Sequence, residues 1–294
     1  MPRSPTPSTP QLPTCDLGIT PGRPTARGVW ILRRLVLPVV RLAFRPTLHG
    51  VEHLPPPGQP YLLVANHSAG LGLAELSSFA ALYVHHVGPD RPLAGFAHPI
   101  GFRFWPLTAI HRQLGSVPST YEAAFDALDA GVPLLVFPGG DHETLRPIWQ
   151  ANHVDFGGRR GFLRIARQAQ VPIVPMGIHG SHYTVPMLWR SRALAWWLVV
   201  PRLVGLKRWG ISLLGVVGAV VLLMVLPLPL WARVLLAWYW LSSPLALMPI
   251  VPWTIRFRIG PPLTPQALFQ EDDETLSGAL DQVQSTIQQL VVAP

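Results

Sequence analysis

Between Arg208 and Arg256 the chain carries a single charge, Arg233, so two uncharged runs of 24 and 22 residues (209–232 and 234–255) lie back to back. Such runs belong either in a protein core or in lipid, because about 20 apolar residues are what a bilayer-crossing helix requires. Neither run is an uninterrupted span. Pro227 and Pro229 stop the first and leave Ile211–Leu226 as a continuous helix. At 1.5 Å per residue that helix reaches roughly 24 Å, short of a hydrocarbon layer about 30 Å thick. The second run is cut by Pro244, Pro249 and Pro252 and carries Trp231, Trp238, Tyr239, Trp240 and Trp253, residue types that settle at membrane interfaces. The expectation is a membrane-embedded helical hairpin over 211–252 that dips and returns. Basic residues flank it on both sides, Arg202, Lys207 and Arg208 before and Arg256 and Arg258 after, which places both ends on the cytoplasmic face. The alternative is an unusually apolar pair of core helices.

Composition agrees with lipid contact. Hydrophobic residues make up 49% of the chain and charged residues 13%, against about 25% charged in an ordinary soluble domain. The net charge of +8 rests almost wholly on arginine. With this apolar content, and without a cysteine–histidine framework or an aromatic RNA-binding motif, the positive charge points to anionic lipid and not to nucleic acid. The single cysteine, Cys15, cannot form an internal disulfide. Residues 1–26 are rich in Pro, Thr and Ser, read as disordered, and lack the apolar run of a secretory signal. Over 27–46, Arg27, Arg33, Arg34, Arg41 and Arg45 alternate with bulky apolar residues, the pattern of a helix lying in the membrane interface or of an amphipathic helix packed on a core, with Pro38 bending either.

Residues 47–294 read as an α/β domain carrying the hairpin as an insertion. Tyr61–Ala65, Leu134–Phe137 and Ile173–Ile178 are short apolar runs of buried strands, separated by helical stretches at Glu75–His85, Tyr121–Ala130 and Gly161–Gln170. Ile255–Gly260 alternates apolar and basic residues like a half-exposed strand, and Pro265–Leu290 has the spacing of a closing helix. Sites in open α/β sheets lie beyond the carboxyl ends of the strands. The first strand ends on Asn66-His67-Ser68, which puts a histidine on a loop where it can act as a base near neutral pH. The second ends on Pro138-Gly139-Gly140-Asp141-His142-Glu143, whose glycines allow close backbone approach to a ligand. Gly157-Gly158-Arg159-Arg160-Gly161 then opens a helix with two guanidinium groups.

These elements fall in one order: strand with Asn66-His67, Leu114-Gly115-Ser116-Val117-Pro118, Phe137-Pro138-Gly139-Gly140, and Val171-Pro172-Ile173-Val174-Pro175. That order resembles the four blocks of the glycerolipid acyltransferase family related to lysophosphatidate acyltransferase. The Gly139-Gly140-Asp141-His142-Glu143 form is similar to the branch that includes monoacylglycerol and diacylglycerol acyltransferases. The resemblance covers about residues 47–190 and returns at Arg256–Leu263. It implies an acyltransferase-type mixed sheet flanked by helices. The family's histidine is followed after four residues by aspartate, where this chain has Gly72, and the nearest acid is Glu75, with Asp141 and Glu143 as rivals. Gly139 stands where the family's third block has glutamate, and Tyr121 where its second block has arginine. Both departures favour an acceptor with little charge.

The expected reaction is transfer of a fatty acyl group from acyl-CoA, the co-substrate, to a lipid hydroxyl, with no cofactor and no metal. His67 and Glu75 are the expected catalytic pair. Asn66, Ser68, Pro138, Gly139, Gly140, Asp141, Glu143, Arg159 and Arg160 are the expected binding residues, the two arginines for phosphates of coenzyme A or of a headgroup. The partners are acyl-CoA, a lipid acceptor and the bilayer, and the expected location is a membrane with the site facing the cytoplasm. Two rivals use the same residues. One is a lipid hydrolase or thioesterase with Ser68 as nucleophile, although Asn66-His67-Ser68-Ala69-Gly70 lacks the Gly-x-Ser-x-Gly elbow. The other is a non-catalytic lipid-binding membrane protein.

Overall fold

The computed structural model describes residues 18–68, 70–103, 105–203, 205–269 and 275–293. Cys15, Ala69 and the acidic run Glu271–Glu274 lie outside the described residues. At the centre is a seven-stranded sheet in the order β1-β9-β6-β2-β5-β3-β4. Its strands are β1 (Thr47–His49), β2 (Leu62–Ala65), β3 (Ala94–Ala97), β4 (Val117–Pro118), β5 (Leu134–Val136), β6 (Ile173–His179) and β9 (Arg256–Ile259). All neighbours are parallel except β6 and β9. The apolar runs of β2, β5 and β6 follow from burial on both sheet faces. Leu62, Val64, Leu134, Val136 and Ile173 point to one apolar layer, and Leu63, Ala65, Leu135, Val174 and Met176 to the other.

The first layer is closed by α5 (Tyr121–Asp129), α7 (Gly161–Ala169) and α10 (Ser277–Val292). The second is closed by the N-terminal helix and α3 (Leu73–His86). The N-terminal helix runs as α1 (Ala26–Ile31), one π-helical turn (Leu32–Val36) beside Pro38, and α2 (Leu37–Ala43). It buries Leu32, Leu37 and Val40 and leaves Trp30, Leu35, Val39 and Leu42 exposed beside its arginines. Between β3 and β4 lies α4 (Leu107–Leu114), and after β5 comes the short α6 (Gly140–Thr144).

The expected disorder to residue 26 does not extend over 18–25. The Gly22 N–H donates to the Gly115 carbonyl (2.8 Å), the Leu93 N–H donates to Gly22 (3.0 Å), and Thr25 caps α1 through the Gly28 N–H (3.0 Å). Backbone docking of this kind leaves no trace in apolar periodicity. The expected closing helix is also shorter. Among the described residues of that stretch only Pro265–Leu268 and α10 are helical, with Thr264 capping the first at the Ala267 N–H.

After β6 the chain forms an antiparallel ribbon, β7 (Met187–Ser191) with β8 (Trp209–Ser212), and then a hairpin of α8 (Leu213–Val225) and α9 (Leu230–Ser242). Ser212 caps α8 at the Gly215 N–H (2.9 Å), and Pro227 and Pro229 fall in the turn. The two helices join where Gly218 admits the Trp240 ring, whose Nε1–H donates to the Gly215 carbonyl (3.0 Å). Arg233, the lone charge, bends back to the Leu223 carbonyl (2.6 Å) and satisfies the open end of α8. The alternative of a buried core pair fails, because Val217, Val221, Met224, Val225, Trp231 and Leu235 all face outward and exposed. Among the described residues no helix is long and apolar enough to cross a membrane. β9 then re-enters the main sheet beside β6, so both ends of the hairpin return to one domain.

Candidate active site

β2, β5 and β6 are parallel, so the segments after Ala65, Val136 and His179 leave the same end of the sheet, with β6 running three residues past the Met176 that pairs with Ala65. His67 stands there. Its ring lies on Phe137 with centroids 4.5 Å apart, and its Nδ1 hydrogen-bonds Glu75 Oε1. Nε2 makes no hydrogen bond among the described residues, and the side chain stays 13% exposed while Glu75 is fully buried. The imidazole is thus held at one nitrogen and open at the other.

Glu75 reaches His67 because the intervening chain is not helical. Gly70 (φ +65°) and Gly72 (φ +74°) turn it back on itself before α3 starts, which brings Glu75 in the first helical turn under the ring. Gly72 serves a second purpose, since a Cβ there would collide with His67 Cε1. Glu75 also accepts from the Ser68 N–H (3.0 Å) and Ser68 Oγ (3.3 Å), and Ser68 Oγ in turn bonds Ser181.

A second buried carboxylate sits behind the first. Glu143 folds back over Gly139, in space that any side chain at 139 would fill. Its Oε2 accepts from the His67 backbone N–H (3.0 Å), and its Oε1 from Asp155 N–H (3.1 Å) and Arg146 (3.4 Å). Burial pushes the Glu143 carboxyl up to about 8, while Arg146 and the two N–H groups act in the opposite sense. His182, buried and bonded through Nε2 to the Arg146 carbonyl (3.0 Å), is driven down to about 4 by burial and by the Arg146 charge. At Asp155, burial is outweighed by the His142 ring (2.7 Å) and the Gly157 N–H, which hold the carboxyl below its usual value.

The expected site residues therefore divide. His67 and Glu75 are brought together, and Pro138, Gly139, Gly140 and Asp141 form the adjoining turn. Arg159 clamps that turn through the Pro138 and Gly139 carbonyls and the Asp141 carboxylate, and remains partly exposed. Four expected binding residues have other roles. Asn66 is buried, with both amide atoms engaged by the Ile178 backbone (2.9 and 2.7 Å), and extends the β2–β6 ladder. Ser68 is buried and bonded to Glu75 and Ser181. Glu143 is fully buried and holds the His67 backbone. Arg160 turns to the Thr275 carbonyl (2.8 Å).

The sequence gives no site role to Ser181, Asp155, Arg146, Arg190 or Arg208, and offers His182 only as a candidate metal ligand beside His179, His142 and Asp141. Arg146 had a signal, its position three residues after Glu143. Arg208 had a misleading one, having been read as a hairpin flank. Its guanidinium lies 3.8 Å from Asp141, and Arg190 on β7 stands close enough that Arg146 and Arg208, after burial, lower its pKa. The ribbon thus adds two cations to the Gly-Gly turn.

Comparison with known proteins agrees with this arrangement. Residues 45–179, from the end of the N-terminal helix through β6, match the Acyltransferase family model. An uncharacterized protein of Mycobacterium tuberculosis is 29% identical over 262 residues, which is 88% of this chain and 64% of that protein, so the chain spans somewhat under two thirds of its relative. The sheep 1-acyl-sn-glycerol-3-phosphate acyltransferase alpha is 32% identical over 151 residues, about half of each chain. The crystal structure of the 1-acyl-sn-glycerophosphate acyltransferase PlsC of Thermotoga maritima shares the fold, with a TM-score of 0.51 at 16% identity over 89% of this chain and 79% of that one. Through the segment that holds His67, the Gly-Gly turn and β6, this chain matches the Acyltransferase family model.

Proposed function

We propose that the protein transfers a fatty acyl group from a thioester to the hydroxyl of a membrane lipid, with His67 as general base. The observation that carries this reading is the His67–Glu75 pair, engaged at Nδ1 and open at Nε2. In the proposed step Nε2 takes the proton from the acceptor hydroxyl as its oxygen attacks the thioester carbonyl. The tetrahedral intermediate collapses, the C–S bond breaks, and the leaving thiolate recovers the proton from the imidazolium. Glu75 fixes the tautomer with Nδ1–H and stabilises the cation formed at the ring. Glu143 takes no part in the proton transfer of this scheme; it positions the His67 backbone.

Arg159, Arg190 and Arg208 around Asp141 leave an excess of positive charge beside the Gly139-Gly140 turn, suited to the phosphates of a carrier such as coenzyme A or of an acyl-carrier protein. The acceptor is proposed to be a glycerolipid hydroxyl with little charge near the reacting end, since the ring's surroundings are Phe137, Gly72 and Leu76. The outward apolar faces of α8, α9 and the N-terminal helix support a re-entrant seat in the membrane, on the side where the main sheet lies.

The test is a transfer assay with labelled acyl-CoA and, separately, acyl-carrier protein, against a panel of lipid acceptors. His67→Ala should lower turnover by roughly 10²–10⁴-fold, the range for general-base catalysis, with no loss of melting temperature. Near-normal turnover in the folded variant overturns the base assignment. Acyl release to water without transfer to any acceptor favours the thioesterase.

A further inference from the structure

The catalytic edge of the sheet continues past His67. One strand over, β6 ends at His179; one more strand over, antiparallel β9 begins at Arg256, paired in register with His179. Arg45, just before β1, completes this corner. Strands lie about 4.8 Å apart, so the corner is roughly 10 Å along the edge from the end of β2. It forms a pocket of about 280 Å³ lined by Arg45, His179, Trp253, Thr254 and Arg256.

Three features set this pocket apart from an ordinary basic surface. No carboxylate lines it, and neither the Arg45 nor the Arg256 guanidinium has a hydrogen-bond or ion-pair partner among the described residues. Its walls are fixed. Trp253 packs on Tyr183 at 4.9 Å, Tyr183 OH accepts from Asn152 (3.1 Å), and the Thr254 carbonyl lies against Gly180 where any side chain would collide. His179 donates from Nδ1 to the Val291 carbonyl (3.0 Å), which holds its ring. Third, Arg45 sits at φ +41°, a conformation uncommon for a side-chain-bearing residue. The residues on either side are fixed: the Ile255 N–H donates to the Phe44 carbonyl and the Thr47 N–H to the Ile255 carbonyl (3.0 Å each), with Arg45 exposed and Pro46 buried between them. Burial, and then the positive charges of Arg256 and Arg258 acting against a favourable bond to Val291, lower the His179 pKa.

The pocket also has a direction. Arg45 follows the N-terminal helix directly, and the last exposed apolar residue of that helix is Leu42. A lipid whose chains run along Val39 and Leu42 would bring its headgroup to Arg45. From this placement we infer that the Arg45–Arg256 corner is a phosphate subsite that takes the headgroup of an anionic glycerolipid at the membrane surface, beside the His67 site and distinct from the Asp141 arginine cluster. This rests on the membrane seat proposed above, not on the acyl-transfer chemistry.

Vesicle flotation reads the inference without turnover, so it stands apart from the His67 assignment. The full chain is compared on vesicles of phosphatidylcholine and of phosphatidylcholine mixed with phosphatidate. The double variant Arg45→Gln/Arg256→Gln is set beside Arg27→Gln/Arg34→Gln, which removes the same charge from the exposed helix. Melting temperature, followed with inorganic phosphate added, reports both fold and free-phosphate binding. Wild type should prefer phosphatidate vesicles, and the pocket variant should lose that preference by roughly tenfold or more, well beyond the helix variant. Equal losses in the two double variants overturn the subsite in favour of diffuse electrostatics. A phosphate-induced rise in melting temperature that depends on Arg45 and Arg256, without any vesicle preference, overturns the lipid as its source. A wild type that prefers neither vesicle and gains nothing from phosphate overturns the inference outright.

Discussion

Gly72→Ala tests the central geometric claim, that a glycine is needed to seat the His67 ring on Glu75. Two costs are separable. Position 72 is left-handed (φ +74°), which costs a side-chain-bearing residue about 1–2 kcal/mol. A Cβ there would also lie well under 3.0 Å from His67 Cε1, and 3.3 Å from both His67 Nε2 and Leu76 Cδ1. Relief of such overpacking costs about 1–3 kcal/mol, and the movable group is the imidazole. The sum, about 2–5 kcal/mol, corresponds to a fall in melting temperature on the order of 10 °C for a chain of this size. Gly158→Ala isolates the backbone part, since Gly158 has φ +71° with nothing within 4 Å of its Cβ. It should lose about 1–2 kcal/mol and no more. The assay pairs thermal unfolding with acyl-transfer turnover. Gly72→Ala should lose turnover beyond what its stability loss explains, because the ring leaves Glu75. If it matches Gly158→Ala in stability and keeps wild-type turnover, the ring does not need the space and the argument is wrong.

Three further expectations follow from the buried charges. In urea unfolding above pH 8, where the Glu143 carboxyl is ionised, Glu143→Gln leaves the Arg146 guanidinium buried without its carboxylate, which should cost about 3–5 kcal/mol; a loss below about 1 kcal/mol would mean the pair is not formed. Because the folded pKa of Glu143 is raised to about 8, its proton is held more tightly in the folded state, so stability is full below its unfolded pKa and falls as pH rises toward 8. His182 has the opposite sense: its pKa is depressed to about 4, so its stabilising effect is present above the unfolded value of about 6.5 and is lost as pH falls toward 4. His182→Gln, which can still donate to the Arg146 carbonyl, should flatten that acid limb in unfolding titrations, and an unchanged limb would exonerate His182. Arg208→Gln should raise KM for the acyl donor several-fold with little change in kcat, measured by varying donor at saturating acceptor; a kcat effect alone would place Arg208 elsewhere in the mechanism.

The strands were legible because burial on both faces leaves continuous apolar runs, and β2, β5 and β6 stand within a residue or two of where those runs lie. β1 and β4, at the sheet's two edges, and β3, beside β4, are two to four residues long and carry no such signal. The hairpin's existence was legible from charge spacing and proline positions. Its support was not, because Arg233 on the Leu223 carbonyl and Trp240 on Gly215 are contacts between residues whose types alone suggest an interface or a lone charge. At the site, histidine and its acid could be named, since ionisable residues are sparse in this chain. Asn66 and Ser68, expected to bind ligand, are engaged inside the fold for a physical reason. Polar residues next to such a histidine are as readily consumed in holding the loop, and a buried amide or hydroxyl must find partners wherever the fold supplies them.

Two departures from the family's blocks, Gly72 and Gly139, looked in the sequence like losses of an acid. In the fold each is one half of a replacement. At 72 the side chain is gone and the acid comes from Glu75, three residues later, across space that a Cβ at 72 would take from the imidazole. At 139 the side chain is gone and Glu143, four residues later, folds its carboxylate back over the vacant position. Three and four residues are the spacings that return to the same helix face, and both acids stand in the first turn of a helix, α3 and α6. A carboxylate moved by one turn can reach the same place only if the residue it replaces gives up its own volume. Glycine and displaced acid are therefore coupled within each pair. Restoring a side chain at 72 or 139 without removing Glu75 or Glu143 puts two groups into one site, and removing the acid alone leaves the His67 ring or its backbone N–H without its partner.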